Sequence, residues 1–261
     1  MTGKGPAWRP RRPVQPGAAP DLFVVGGKRA ATEAIRAGRA RRLLVVTDAR
    51  ESEGLRSLIE TARQAGLVPE TVNRQEMGSL GVTDHQGVVA YVVPPRELDD
   101  QRFISTAFEA DAVVVVLDGV VDPQNFGACA RSAEAAGVAM LVTRKRRSAP
   151  MSAGALRASA GALLHLPVAR VANLSRAVEQ LKDKGLFVVG LDHRAATTIH
   201  EAKAPPLPLA LVVGAEETGI TRLVREGCDQ LVSIPLSGRT ASLNASAALA
   251  VGLFGFALRP P

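Results

Sequence analysis

Val113-Val114-Val115-Val116-Leu117-Asp118-Gly119-Val120-Val121-Asp122-Pro123-Gln124-Asn125-Phe126-Gly127 passes from five consecutive apolar residues into a polar, glycine-bearing loop. An unbroken apolar run of this length reads as a strand covered on both faces, as in a parallel sheet. A long polar loop after it leaves backbone N–H and C=O groups that must find a ligand or water. The pattern returns twice. Residues 209–213 run into Gly214-Ala215-Glu216-Glu217-Thr218-Gly219. Residues 231–234 run into Pro235-Leu236-Ser237-Gly238-Arg239-Thr240-Ala241-Ser242-Leu243-Asn244-Ala245-Ser246. Three such loops predict one site at the carboxyl edge of a parallel sheet.

Outward from these loops the alternation continues. Further strands are expected at 138–143, 164–168 and 186–191, and helices at 126–136, 153–160, 174–184, 222–227 and 243–258. This is an α/β doubly wound sheet over residues 112–261. Residues 21–94 read as a smaller α/β module, with strands at 22–25, 43–47, 68–72 and 87–93. Its helices fall at 28–37 and 52–65, with a short one near Gln75. Residues 95–111 read as a linker with a short helix, and residues 1–20, rich in Pro and Arg without an acid, as a disordered basic arm. The arm is either an RNA contact or a solubilising tail.

The chain of 261 residues allows one large or two modest domains, each with its own core. A formal charge of +7 favours a polyanionic partner. No apolar run reaches the roughly 18 residues that span a bilayer, and the charged N-terminus has no signal-peptide core. Cys129 and Cys228 are far apart and read as buried small hydrophobes in a reducing cytosol, with a disulfide or reactive thiol as the alternative. His85, His165, His193 and His200 are scattered, so no metal site is expected. Gly26-Gly27-Lys28 lacks phosphate-loop spacing and reads as a turn before a helix. Arg144-Lys145-Arg146-Arg147, directly after a strand, is either a solvated basic turn or a phosphate contact.

The three loops together resemble the SpoU/TrmH family of RNA ribose 2'-O-methyltransferases, within the SPOUT class. Asn125, Gly127 and Arg131 resemble its first motif. Val213-Gly214-Ala215-Glu216 with Gly219 resembles the second. Ser237-Gly238 followed by Ser242-Leu243-Asn244 and Ser246 resembles the third. Residues 22–93, ending in His85-Gln86-Gly87-Val88-Val89-Ala90, look like the ribosomal-protein-L30e-like substrate domain of some members. The resemblance implies a SPOUT domain with a C-terminal trefoil knot, a cytoplasmic homodimer, and S-adenosyl-L-methionine as cofactor. It implies RNA as substrate, foremost a guanosine of 23S rRNA. The alternatives are a tRNA, a resistance-linked rRNA adenosine, or a non-catalytic ribosome-assembly factor. Gln124 stands where many bacterial members carry His, and Glu217 where many carry Gly.

The implied catalytic residues are Asn125, Arg131, Glu216 and Asn244. Arg131 matches the residue thought to activate the ribose hydroxyl. Arginine is a poor base, being almost always protonated. A close cation instead lowers the hydroxyl's pKa, or holds the adjacent phosphate so that phosphate or water takes the proton; electrostatic activation is preferred. Asn125 is expected to cap a helix, to bond the target, or both. Glu216 is expected to order the loops by accepting backbone N–H bonds, or to position Arg131. Asn244 and Ser242 are expected to cap the last helix. The implied cofactor residues are Val213, Gly214, Ile234, Leu236, Ser242 and Leu243. Adenine would rest on Ile234, Leu236 and Leu243, and Gly214 would let backbone approach it closely.

Overall fold

A computed structural model describes residues 22–47, 52–240 and 242–258. The proposed basic arm lies outside the described residues. The N-terminal module runs β1 (Phe23–Gly26), α1 (Lys28–Arg36), β2 (Ala40–Val46), α2 (Glu53–Gln64), β3 (Glu70–Val72), α3 (Arg74–Gly78) and β4 (Val88–Val92). Its four strands lie in the order β1-β4-β2-β3. Strand β4 is antiparallel to both neighbours, and β2 pairs with β3 in parallel. Period-two alternation decides the two faces. Leu43 and Val45 join the core under α1 and α2, while Leu44 and Val46 join Met77 of α3 on the other face.

The segment that follows, expected as a linker with a short helix, is held against the second domain. Leu98 N–H donates to Val168 O and Leu98 O accepts from Arg170 N–H, both at 2.8 Å. The helix α4 (Asp100–Ser105) then buries Phe103 against the second domain. That domain runs β5 (Val113–Asp118), α5 (Pro123–Ala135), β6 (Met140–Arg144), α6 (Ala153–Ala158), β7 (Val168–Val171), α7 (Leu174–Asp183), β8 (Phe187–Leu191), β9 (Leu209–Gly214), α8 (Arg222–Glu226), β10 (Gln230–Val232) and α9 (Ala245–Gly252). Its six strands are all parallel, in the order β10-β8-β9-β5-β6-β7. Every residue of β5 is buried. Val113, Val115 and Leu117 face α5 and α9, and Val114 and Val116 face α7 and α8.

Three elements depart from the sequence expectation. Residues 162–164 form one tight helical turn and the strand starts later, at Val168. Both stretches are apolar and buried, and hydrophobicity without a period does not separate a short strand from a helical turn. The helix α5 begins at Pro123, three residues early, because Asp122 caps it through Gln124 N–H and Asn125 N–H and proline suits a first turn. The last helix starts at Ala245 rather than 243 and widens into a π turn over Leu253–Ala257.

The two domains share one apolar cluster instead of keeping separate cores. Val25, Ala30 and Leu55 of the first belong with Ala155, Leu156 and Leu163 of the second. Polar contacts seal the same junction. Arg157 Nη1 donates to Thr83 O and Oγ1, both at 2.9 Å, and His165 Nε2 lies 3.1 Å from Glu33 Oε2. Among the described residues no helix is long and apolar enough to cross a membrane.

Candidate active site

The three loops meet at the carboxyl ends of β5, β8, β9 and β10. Asn125 sits in the first turn of α5, where its backbone N–H is taken by Asp122 Oδ2 at 3.1 Å. It is therefore not the cap of that helix, and its side chain is free to point away. Asn244 does cap α9, its Oδ1 accepting from Ser246 N–H at 2.9 Å and Ser246 Oγ at 2.6 Å. Glu216 lies on the loop after β9. Asn125 Nδ2 donates to Glu216 Oε1 at 2.9 Å, and Asn244 Nδ2 donates to Glu216 Oε1 and to Asn125 Oδ1, each at 2.7 Å. Ala245 N–H adds a third, longer bond to Glu216 Oε1 at 3.4 Å. A carboxylate so held fixes both amide side chains, since bonds to an ionised acceptor are the strong ones.

The Glu216 loop is anchored at both ends by one residue. Asp118 O accepts from Ala215 N–H at 2.9 Å. Asp118 Oδ2 accepts from Thr221 N–H at 2.7 Å and Thr221 Oγ1 at 2.6 Å, and its Oδ1 lies 2.9 Å from Arg144 Nη2. Between these anchors the loop folds back on itself, with Gly219 N–H on Ala215 O at 2.8 Å. A Cβ on Gly214 would lie 2.0 Å from the carbonyl carbon of Gly219. The glycine is thus demanded by its own loop.

Beside the amide–carboxylate cluster opens a pocket of about 560 Å³ including its open mouth. All six of Val213, Gly214, Ile234, Leu236, Ser242 and Leu243 line it, together with Glu216. Leu191, Asp192 and His193 line it too, and the sequence reading missed them. The signal was present, because Leu191 ends an apolar strand and Asp192-His193-Arg194 is a polar turn after it. Asp192 is buried and meets Arg225 Nε at 2.7 Å and Arg194 Nε at 3.2 Å. The described lining holds aliphatic walls and carboxylates but no Lys or Arg. That donor set suits a flat apolar group joined to a cation, and not a polyphosphate.

Arg131 is elsewhere. It is exposed, and it lines a cleft between the two domains with Gln124 and Arg157. Each helical residue turns about 100°, so Arg131 lies about 120° around α5 from Asn125 but within about 20° of Gln124. Its companion on the first motif, Gly127, packs α5 onto α6, where a Cβ would meet Ala155 O and Ala158 Cβ at 2.6 Å. Glu216 consequently bonds the two amides and not Arg131, as the alternative expectation had it.

Residues 112–254 match the SpoU rRNA Methylase family. This chain belongs to the SpoU methylase family. Residues 24–98 match a second domain of the family, described as RNA 2'-O ribose methyltransferase substrate binding. A protein of Staphylococcus saprophyticus assigned to the TrmH family of tRNA/rRNA methyltransferases is 34% identical over 234 residues, 89% of this chain and 94% of the relative. A crystal structure of an RNA 2'-O ribose methyltransferase superposes with a TM-score of 0.74 at 26% identity, over 90% of this chain and 87% of that one. The SpoU methyltransferase AviRb of Streptomyces viridochromogenes, solved with AdoMet, gives 0.70 at 28% identity, over 90% and 88%. The two-domain SpoU architecture expected from the motifs is therefore the architecture of this chain.

Proposed function

We propose that this SpoU methylase transfers a methyl group from S-adenosylmethionine to the 2'-oxygen of a guanosine ribose in 23S rRNA. One observation carries the reading: the Asn125–Glu216–Asn244 cluster adjoins, through Glu216, an apolar pocket that bears carboxylates and no Lys or Arg. When bound, S-adenosylmethionine supplies a methyl already activated by the sulfonium charge. Ile234, Leu236 and Leu243 would hold an adenine face, and Ser242 and the backbone after Val213 its polar edge. AviRb, similar over most of both chains, is described in complex with AdoMet, which supports this cofactor.

The chain's own residues have two tasks, to align the ribose oxygen and to ease loss of its proton. Asn125 and Asn244, fixed by Glu216, present amide groups at the rim for the first task. Arg131 serves the second by holding a phosphate next to the target ribose, since it lies off the pocket on the other flank of α5. The exposed Val251, Phe254 and Leu258 near the C-terminus support a homodimer formed through this end of the chain. The substrate-binding match of the first domain and the net charge of +7 support a large RNA as substrate.

Calorimetric titration with S-adenosylmethionine tests the cofactor. Binding is expected for the full chain, and its absence would leave an RNA-binding assembly factor. Ribose-methylation mapping of total RNA from a deletion strain tests the substrate. One guanosine in 23S rRNA should lose its 2'-O-methyl group and regain it on complementation, but not with Asn125→Ala. Loss of a tRNA mark instead would overturn the rRNA assignment.

A further inference from the structure

Of the side chains that line the pocket beside Glu216, one can become a cation. Aliphatic residues form its walls, and Glu216 and Asp192 are its carboxylates. His193, on the turn after β8, is the single basic group in the described lining. None of the roles assigned above uses it.

The turn that carries His193 is fixed on both sides. Asp192 N–H donates to Val232 O, and Ala195 N–H to Asp192 O, both at 2.9 Å. Asp192 Oδ1 accepts from Arg194 N–H at 2.9 Å and Arg194 Nε at 3.2 Å, and its Oδ2 meets Arg225 Nε of α8 at 2.7 Å. His193 Nδ1 lies 3.8 Å from Asp192 Oδ1, beyond hydrogen-bond range. The buried carboxylate is already matched by two guanidinium groups, so a proton on the imidazole has no counter-charge of its own. Glu216 faces the pocket from the loop after β9, but its Oε1 is taken by three N–H donors. The loop after β10 adds no charge to the lining.

The charge of this one side chain bears on which ligand the pocket prefers. Methyl transfer breaks the bond from the methyl carbon to sulfur and leaves its electron pair on sulfur, while the C–O bond forms and the hydroxyl proton departs. The donor therefore has a positive sulfur, and the product, S-adenosylhomocysteine, a neutral one. A pocket of about 560 Å³ including its mouth sets its walls on the order of 10 Å apart, about one Debye length at 0.1 M salt, so repulsion across it survives screening.

We propose that His193 discriminates the charged methyl donor from its uncharged product, favouring the donor when the imidazole is neutral and the product when it is protonated. The proposal rests on S-adenosylmethionine as the occupant of this pocket. An imidazole changes charge within the range of about pH 5 to 8, so acid conditions should turn the enzyme toward product inhibition.

The test is calorimetric titration of the full chain with S-adenosylmethionine and with S-adenosylhomocysteine, at about pH 7.5 and about pH 5.5. The ratio of the donor's Kd to the product's Kd should rise about fivefold on acidification, as repulsion between two cations across a solvent-exposed pocket gives. His193→Asn should remove that rise, and His193→Lys, charged at both pH values, should hold the ratio at the acid value throughout. His193 is exposed, so both variants should keep the wild-type Tm. A wild-type ratio that is the same at both pH values would overturn the proposal. So would a rise that persists in His193→Asn, which would assign the effect to another group or to the ligands themselves. Failure of both ligands to bind at the higher pH would instead overturn the cofactor reading, and the proposal with it.

Discussion

Asp118→Ala should loosen the reactive loop and destabilise the whole second domain. The carboxylate is fully buried, while the side chain of its partner Arg144 is 31% exposed. Removing one member of a buried pair costs about 3–5 kcal/mol, because the other charge stays behind; the partial exposure of Arg144 favours the lower end, about 3. The abandoned N–H of Thr221 adds about 1 kcal/mol. The sum, about 4 kcal/mol, should lower Tm by about 10 °C for a chain of this size. Asp118→Asn keeps the volume and one acceptor for Thr221, loses the charge opposite Arg144, and should cost about half as much. The functional effect follows from the second anchor. With Thr221 released from Asp118, the end of the loop that carries Glu216 keeps only the bond from Arg144 Nη2 to Thr221 Oγ1 at 3.1 Å, and S-adenosylmethionine should bind more than about tenfold weaker, equivalent to about 1.4 kcal/mol. Differential scanning calorimetry and cofactor titration on both variants read the two effects. An Asp118→Ala protein that melts within about 2 °C of wild type and binds the cofactor equally would refute the anchoring argument.

Three other outcomes follow from the same geometry. Gly214→Ala puts a Cβ 2.0 Å from the backbone of Gly219, so the loop must open, and cofactor binding should be lost while the circular dichroism of the sheet persists. Asn244→Ala removes the cap of α9 and two bonds of the rim cluster; it should cost about 1 kcal/mol in stability, and its effect on methylation should be non-additive with Glu216→Gln in a double-mutant cycle. Burial pushes the Cys129 thiol up to about 12, and burial aided by Asp229 and Asp192 does the same to Cys228. Both thiols stay protonated at pH 8, so Ellman's reagent should label neither in the folded protein and both in guanidinium.

Much of the site was legible because its signals are local. A strand end, a glycine and a capping asparagine are each written within a few residues, as at Asp118-Gly119, Val213-Gly214 and Asn244-Ala245-Ser246. The Leu191–His193 wall carried the same signal and lacked only a motif to draw notice to it. The placement of Arg131 was harder. Its motif partner Asn125 is six residues away, and helical rotation alone separates them. That calculation requires knowing that α5 already starts at Pro123, so that both residues lie inside one continuous helix.

The sequence by itself determined the order of strands and helices, the parallel character of the second sheet and the three loops that build the rim, because periodicity and strand endings are encoded over short windows. Only the tertiary structure decided that Asp118 reaches Thr221 across 103 positions, that the small domain shares its core with the large one, and that Arg131 faces a cleft between them. Those outcomes depend on strand order and on which side of each helix meets its neighbours, and no local pattern records either.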